Sequence, residues 1–530
     1  MSAGQIFVVL GVALVTFAAV AALRRMGIPA PVVLVVAGLA IGFLPFVPDV
    51  SLPPELVLLG LLPLLVFDTA ITSSPTAFRR EWRTIGALAV FLVIATAFAV
   101  AAAAHWIAHL SWPMAFVLGT AVGPTDAAAA TSVARRLRLP RRLITVLEGE
   151  ALFNDATALV LYGAAVTAAT SGRISLAHTA ADVLYAVVVG AGIGLLVGIV
   201  GRWMLTRIDD PPIEIAGSIL LAYVSYLPAE EIHASGVLAA VTAGLYLGWH
   251  RSGGAASAKS RLQFTAFWET LVFLVNAALF ILVGLSFHTF STRARGPLGR
   301  LTLAAVAVVG TVIIIRMVWM WAFARPTRFR RPNSPAPLAG TWRERTILGW
   351  AGMRGAITLA ALLAVPTLTQ SGHLLRGREE IVYLGFAVIL ATLVGQGMTL
   401  PPLVRRLSPA ESPSLADAER DARRRLAQGA LELLDDAEAG GEVSAEVTDG
   451  LRAQYVGRLQ LFETTPLDDA AAATPRSSAA SERALRLSLV RAQRRQLIAL
   501  RSEGKIGATT VRKIERDLDL EEARLDPGGD

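Results

Sequence analysis

Long apolar runs separated by short polar segments fill roughly the first 400 residues of the chain. A helix needs roughly 20 apolar residues to cross a bilayer. The pattern predicts thirteen such helices, at about residues 5–23, 28–46, 54–72, 84–106, 112–134, 143–169, 178–205, 213–228, 234–249, 264–287, 300–324, 346–369 and 380–404. We therefore expect an all-α polytopic membrane protein.

Basic residues test this count, because cytoplasmic loops carry an excess of Lys and Arg. With the N-terminus outside, the inner loops hold 23 basic residues and the outer loops hold 6. An error of one helix would scramble this alternation. The pattern predicts an external N-terminus and a cytoplasmic C-terminus. Only three of the 49 basic residues are Lys. This preference for Arg is typical of a GC-rich bacterial genome, and in a bacterium the expected location is the plasma (inner) membrane.

Composition excludes other classes of protein. Only 17% of the residues are charged, against about 25% in soluble domains. The chain has no cysteine, so disulfides and thiolate metal sites are absent. Residues 1–408 hold 31 basic and 18 acidic residues, so the basic excess lies in the membrane region and does not indicate nucleic-acid binding. No basic residue precedes the first apolar run, so a cleaved signal peptide is not expected.

The last part of the chain, residues 409–530, is polar and is expected to form a cytoplasmic tail. Residues 409–480 mix Ala, Asp, Glu, Ser and Pro, whereas residues 481–525 carry the apolar spacing of an amphipathic helix. The tail is either a solvated appendage or a regulatory module.

Charged residues inside the predicted helices are few. A charge at the bilayer centre costs at least ~2.5–3.5 kcal/mol, so such residues face a bundle interior or a water-filled path and are functional candidates. The basic ones are Arg316 and Arg354, and the acidic ones include Asp68, Asp126, Glu148, Glu150 and Asp155.

Two of these acids, Glu148 and Asp155, are seven residues apart and share one helix face, whereas Glu150 lies on another. We expect Asp155 to bind ions, with a buried salt bridge as the alternative. For Glu150 a structural ion pair is the favoured interpretation, with Arg316 or Arg354 as its partner.

A second focus is Gly123-Pro124-Thr125-Asp126, in the middle of the fifth predicted helix. Proline breaks the helical hydrogen-bond ladder, and broken helices at membrane depth are tolerated where they line a cavity. The freed carbonyls and the Thr125 hydroxyl could coordinate a cation, although a simple proline kink is the alternative.

The twelfth predicted helix has a similar interruption, because it carries three glycines within seven residues, 349–355, together with Arg354. Transporters built from inverted repeats place discontinuous helices at matching positions in the two halves. An offset of seven pairs the fifth helix with the twelfth, so both interrupted helices fall where this symmetry requires.

Several stretches, in this order, resemble the sodium/proton exchanger branch of the monovalent cation/proton antiporter superfamily. They cover roughly residues 5–407 and include Gly123-Pro124-Thr125-Asp126, Glu148-Gly149-Glu150-Ala151-Leu152-Phe153-Asn154-Asp155-Ala156, Phe267-Trp268-Glu269, Gly352-Met353-Arg354-Gly355-Ala356-Ile357 and Gln396-Gly397-Met398-Thr399-Leu400-Pro401-Pro402.

The resemblance implies a homodimer of thirteen-helix subunits with two inverted repeats and crossed discontinuous helices. Within residues 1–408, a dimerisation domain would comprise residues 5–72 and 178–287, and a core domain residues 84–169 and 300–404. Asp155 matches the family's essential ion- and proton-binding carboxylate, and Asn154 matches the asparagine that precedes it in the ion-binding pair. Thr125 and Asp126 match the ion-binding residues on the unwound helix. Glu150 matches a glutamate that pairs with an arginine.

Two departures from the family's pattern bear on the transported ion. Ala151 stands where the family usually has Ser, so one hydroxyl ligand is missing. Asp68 stands where the family often has Glu, and its side chain is shorter by one methylene. We keep Asp68 among the candidate ion-binding residues.

These residues predict electroneutral 1:1 exchange of Na⁺ for H⁺, serving pH homeostasis. Asp155, Asp126 and Thr125 would hold Na⁺ through oxygen ligands, and Asp155 would hold either the cation or a proton. The asparagine at position 154, in place of a second Asp, leaves one titrating carboxylate. No cofactor is expected. The alternatives are K⁺/H⁺ or Li⁺/H⁺ exchange at the same site, a cation channel, and an intramembrane enzyme with Asp126 and Asp155 as an acid dyad.

Overall fold

The computed structural model divides the chain into two compact units, Met1–Ser412 and Pro413–Asp530. It describes residues 29–43, 54–73, 75–137, 139–171, 176–208, 210–251, 258–293, 298–322, 341–369 and 371–407, with scattered positions from 428 to 459 and residue 520. The predicted first helix, 5–23, lies outside the described residues. So does the predicted tail helix, 481–525, except for Leu520.

The described part of the first unit is helical, with one isolated β-bridge between Leu368 and Leu374. Its first half contains α1 Ala30–Gly42, π1 Leu56–Leu61, α2 Leu62–Thr72, α3 Pro75–Gly86, π2 Ala87–Leu92, α4 Val93–Ala108, α5 Trp112–Ala121, α6 Ala127–Arg136, α7 Arg141–Ser171 and α8 Leu176–Leu205. Its second half contains α9 Pro211–Glu231, α10 Gly236–Arg251, α11 Ala258–Arg293, α12 Leu298–Ala322, α13 Trp342–Trp350, α14 Ala356–Leu363, α15 Arg378–Leu390, π3 Ala391–Gln396 and α16 Gly397–Leu407.

These helices occupy the second to the thirteenth predicted membrane segments. Within the described ranges, seven continuous helical stretches of 21 to 31 residues are long and apolar enough to cross a membrane. Three shorter apolar helices accompany them in the same ranges, Ala30–Gly42, Leu56–Thr72 and Trp112–Ala121. The prediction of an all-α polytopic membrane protein is confirmed.

Two groups of helices are apparent from the packing. In the first, α1 packs on α11, and α10 packs on both α2 and α8. Glycines allow these close approaches: a Cβ on Gly38 would overlap the backbone of Ile281, and one on Gly248 would overlap the backbone of Ile71. In the second group, α4, α5, α7 and α12 pack on one another or through a shared neighbour. The division into a dimerisation domain and a core domain stays a prediction.

Two membrane segments are interrupted. The chain leaves α5 after Ala121 and begins α6 at Ala127; it leaves α13 after Trp350 and begins α14 at Ala356. The two breaks meet, because the backbone N–H of Asp126 donates to the carbonyl of Met353 at 2.8 Å. Crossed, discontinuous helices are thus present where the glycine and proline positions predict them.

In the second unit, the described positions include an ion-pair cluster. Arg452 contacts Asp435 at 2.6 Å, Glu438 at 2.7 Å and Asp449 at 3.4 Å. The three carboxylates are exposed and the arginine is partly exposed, so the cluster adds little to stability.

Candidate functional site: a cavity at the crossing of two broken helices

Glu150, in the first half of α7, is neutralised inside the protein. Its two carboxylate oxygens accept hydrogen bonds from the Arg316 guanidinium on α12, and both side chains are buried. Arg316 also donates from Nε and Nη2 to the carbonyl of Leu348, at 3.2 and 3.1 Å. Arg316 and Arg354 were the two candidate partners of Glu150 from the sequence, and Arg316 is the one that contacts it. The pair joins α7 and α12 to the last turn of α13.

A chain of hydrogen bonds runs from this ion pair to the first helix break. The Thr125 hydroxyl donates to Glu150 at 3.0 Å and accepts from the Asn154 amide at 2.9 Å. The Asn154 side-chain oxygen is buried and has no hydrogen-bond partner among the described residues. Thr125 and Asn154, two of the predicted ion-binding residues, therefore hydrogen-bond to each other. Through these bonds the first helix break is attached to α7.

Arg354 lies within the second break and reaches the first one. Its Nε donates to the carbonyl of Val122 at 3.0 Å and its Nη2 to that of Gly123 at 3.4 Å. Its backbone N–H donates to the Thr392 hydroxyl of π3 at 3.1 Å. Carbonyls at a helix C-terminus carry partial negative charge. Arg354 neutralises that charge at the end of α5, as Arg316 does near the end of α13.

Asp126 lies at the N-terminal ends of the helices that follow the two breaks, α6 and α14. Its Oδ1 accepts from the backbone N–H groups of Ala128 and Ala129 in the first turn of α6, at 2.9 and 3.3 Å. Its carboxylate also lies so close to Gly355, just before α14, that a Cβ there would overlap it. The carboxylate thus faces two helix N-termini, where negative charge is stabilised.

Asp155 and Asp126 line a shared cavity of about 40 Å³. A cavity of that size has room for a small number of waters or one partly dehydrated cation. Thr125 and Thr358 add hydroxyl groups to its lining. The Asp155 carboxylate is buried and makes no hydrogen bond or ion pair within the described part of the chain. It is therefore a carboxylate with capacity for a proton or a cation.

The structure does not bring every predicted ligand to this cavity. Asp68 lies half-buried on α2, but Leu65 is the residue of that helix that lines the cavity. Conversely, sequence reasoning missed Asn276 on α11 and Thr358 on α14, which both line it. A polar amide within the apolar run of α11 was an available signal for Asn276. Thr358 gave a weaker signal, because threonine is common in membrane helices.

Buried carboxylates facing a small cavity where two broken helices cross are typical of an ion transporter. The chain belongs to the sodium/hydrogen exchanger family: the family model described as "Sodium/hydrogen exchanger, transmembrane" matches residues 11–406. The protein is thus a multi-pass membrane transporter that exchanges cations for protons, and not an enzyme.

Relatives match most of the chain. An exchanger of Mycobacterium tuberculosis, Rv2287, whose name reads "Uncharacterized Na(+)/H(+) exchanger", is 35% identical over 95% of this chain and 93% of its own. A "Sodium, potassium, lithium and rubidium/H(+) antiporter" of Bacillus pumilus is 29% identical over 93% of this chain and 74% of its own. The solved structure of the sodium proton antiporter MjNhaP1 from Methanocaldococcus jannaschii superposes with a TM-score of 0.60. It covers 76% of this chain and 98% of its own at 18% identity, a likeness of fold.

Proposed function

We propose that the protein exchanges one Na⁺ for one H⁺ across the plasma membrane, and that Asp155 is the group to which the two ions bind in turn. The observation that carries this proposal is the cavity at the helix crossing, where the Asp155 carboxylate has no protein partner among the described residues. A proton and a cation compete for the same carboxylate. Exchange follows if the empty, charged site crosses the membrane poorly.

The charges around the cavity support electroneutral exchange. Glu150 is paired with Arg316, so it adds no net charge to the site. Asp126 accepts hydrogen bonds from two N–H groups of α6, which favour its ionised form, and we assign it no change of charge during the cycle. One carboxylate, Asp155, is then left to change its occupant. Replacing one proton by one Na⁺ moves no net charge, so a membrane potential would not drive the cycle.

The cation would be held by oxygen atoms, as hard monovalent ions prefer. Asp155 and Asp126 supply carboxylate oxygens, and water within the cavity completes the shell. Thr125 is a weaker ligand, because its hydroxyl already joins Glu150 to Asn154. Asp68, which does not line the cavity, would act on the access route.

Movement of the core domain against the dimerisation domain of a homodimer would expose the cavity to each side of the membrane in turn. The helix groups seen in the fold fit this division. The arrangement would place the N-terminus outside and the C-terminus in the cytoplasm.

Potassium or lithium exchange at the same site is the second candidate. It is favoured by the similarity to the Bacillus pumilus relative, which is named as an antiporter of sodium, potassium, lithium and rubidium. The cavity has no selectivity filter of carbonyl rings within the described residues, and its ligands are carboxylate, hydroxyl and amide groups that several monovalent ions accept.

The test uses the full-length protein in vesicles with an imposed acid interior and a dye that reports the pH gradient. Addition of Na⁺ should dissipate the gradient in the wild type, and Asp155→Asn should abolish this response while the protein still reaches the membrane. Asp182→Asn, the same change on an exposed residue of α8, is the matched control and should exchange normally. Exchange by Asp155→Asn at the wild-type rate would contradict the proposal.

Two further readings of the same vesicles separate the alternatives. A response to K⁺ without a response to Na⁺ would keep the mechanism and change the substrate. A current driven by an imposed voltage, with no ion gradient present, would contradict electroneutral exchange.

A further inference from the structure

The cavity has two unlike walls. One is polar and comes from the broken helices and α7, with Thr125, Asp126, Asp155 and Thr358. The other wall comes from α2 and α11 and includes the apolar side chains of Leu65, Leu279 and Phe280. A cation bound at Asp155 would therefore have both oxygen atoms and hydrocarbon in the lining around it.

Asn276 is the exception on the apolar wall. It lies on α11 three and four residues before Leu279 and Phe280, so the three side chains share one helix face. Those two neighbours are buried, whereas Asn276 is half-buried and lines the cavity. Its amide makes no hydrogen bond with any described residue. The amide of a residue in a membrane helix normally hydrogen-bonds to another residue or faces a water-filled path. Asn276 faces the cavity.

We propose that Asn276 is a specificity-determining ligand of the transported cation, which its amide oxygen contacts inside the cavity that it lines together with Asp155. This inference rests on the proposed function, because it assigns a ligand to that same site. An amide oxygen coordinates a cation without adding charge, so the one-for-one charge balance is preserved. It replaces one water that the cation loses on entering the cavity.

The contribution of Asn276 depends on the cation. A small, strongly hydrated ion pays more for the loss of each water and needs the replacement oxygen more than a large ion does. Loss of the amide should therefore weaken the binding of Li⁺ and Na⁺ more than the binding of K⁺. The side chain on α11 sets the preference among ions, and the carboxylate on α7 sets the competition with protons.

The test measures exchange by full-length Asn276→Leu in proteoliposomes, with Na⁺, Li⁺ and K⁺ added separately. Leucine keeps the approximate volume and removes the amide. The apparent KM for Na⁺ should rise about tenfold, if one neutral oxygen ligand to a charge is worth about as much as one hydrogen bond to a charge. The KM for K⁺ should rise less, and the maximal rate should change little. A fall in maximal rate with unchanged KM values would overturn the proposal.

Matched variants keep the result interpretable. Asn276→Asp retains a side-chain oxygen of the same reach and should keep the KM for Na⁺ at or below the wild-type value. Thr270→Val removes a hydroxyl from an exposed position of the same helix and should leave all KM values unchanged. If leucine prevents insertion, Asn276→Ala takes its place, and wild-type KM values in that variant would overturn the inference.

A binding measurement separates this inference from the proposed function. Na⁺ should raise the thermal unfolding temperature of the purified wild type, and Asn276→Leu should need about tenfold more Na⁺ for the same rise. Absence of exchange by the wild type contradicts the proposed function. Wild-type exchange together with an unchanged Na⁺ requirement in Asn276→Leu contradicts the role of Asn276 alone.

Discussion

Two acidic residues on α7, Glu150 and Asp155, are both buried, but only Glu150 has a positively charged partner among the described residues. They are five residues apart, or about 7.5 Å along the helix axis, and are 1% and 7% exposed. Glu150 meets the guanidinium of Arg316 and the hydroxyl of Thr125. Asp155 faces a cavity and contacts no cation of the protein within the described residues.

The difference shows that burial alone does not identify a working carboxylate. A buried charge that is paired and hydrogen-bonded holds helices in place, and its loss leaves the partner uncompensated. A buried charge without a partner can exchange one counter-ion for another. Under the proposed function, one helix therefore carries a fixed anchor, Glu150, and an exchangeable site, Asp155. The anchor holds the helix breaks beside which Asp155 lies.

The largest effect is expected from breaking the anchor. Glu150→Gln leaves the Arg316 guanidinium buried without a negative partner, which should destabilise the protein by about 3–5 kcal/mol. Thermal unfolding of the purified protein in detergent should show this as a clear fall in midpoint. The corresponding Asp155→Asn variant should unfold near the wild-type temperature, because no described residue loses a hydrogen-bond or ion-pair partner.

A double variant supplies the control for this prediction. Glu150→Gln with Arg316→Met removes both charges and should recover much of the lost stability, because no unpaired charge is left. Equal destabilisation by the single and the double variants would show that the charge pair itself is not what holds α7 and α12 together.

A smaller effect is expected at the crossing of the helix breaks, where Gly355 leaves room for the Asp126 carboxylate. Gly355→Ala places a methyl group in that space and must displace the carboxylate from α14. Overpacking of this kind costs about 1–3 kcal/mol, and exchange should slow because one wall of the cavity shifts. Both the unfolding temperature and the exchange rate measure it.

Gly310→Ala on α12 is the matched control, because open space surrounds a Cβ at that position. Alanine is favoured over glycine inside a helix by about 0.5–1 kcal/mol, so this variant should be as stable as the wild type or slightly more stable. Equal behaviour of the two alanine variants would contradict the close approach of Gly355 and Asp126.

The sequence predicted the helices and both breaks, because apolar length, proline and glycine act locally. It also placed Asp155 and Glu150 on different faces, from helical spacing alone. It could not choose between Arg316 and Arg354, because that choice depends on how α12 and the second break pack against α7. It could not predict that Asn276 lines the cavity and Asp68 does not for a related reason: the rotation of α2 and α11 about their axes decides which residues face the cavity.

The smallest effect is expected at Ala151, one turn before Asp155, where the family usually has serine. Ala151 is buried but does not line the cavity. Other hydroxyls on α7 bond to the carbonyl four residues back, Thr157 to Phe153 at 3.0 Å and Thr167 to Gly163 at 2.9 Å. In Ala151→Ser the new hydroxyl should bond in the same way to the carbonyl of Leu147. The apparent KM for Na⁺ should then change by less than about twofold.

Exchange assays on Ala151→Ser, run beside the wild type with Na⁺ and K⁺, test how far the exchangeable site extends along α7. A fall of about tenfold in the KM for Na⁺ would mean that the added oxygen reaches the ion. The boundary between anchor and site would then lie between Glu150 and position 151. An unchanged KM would place that boundary nearer to Asp155, and the serine-to-alanine departure would then have little bearing on which ion is carried.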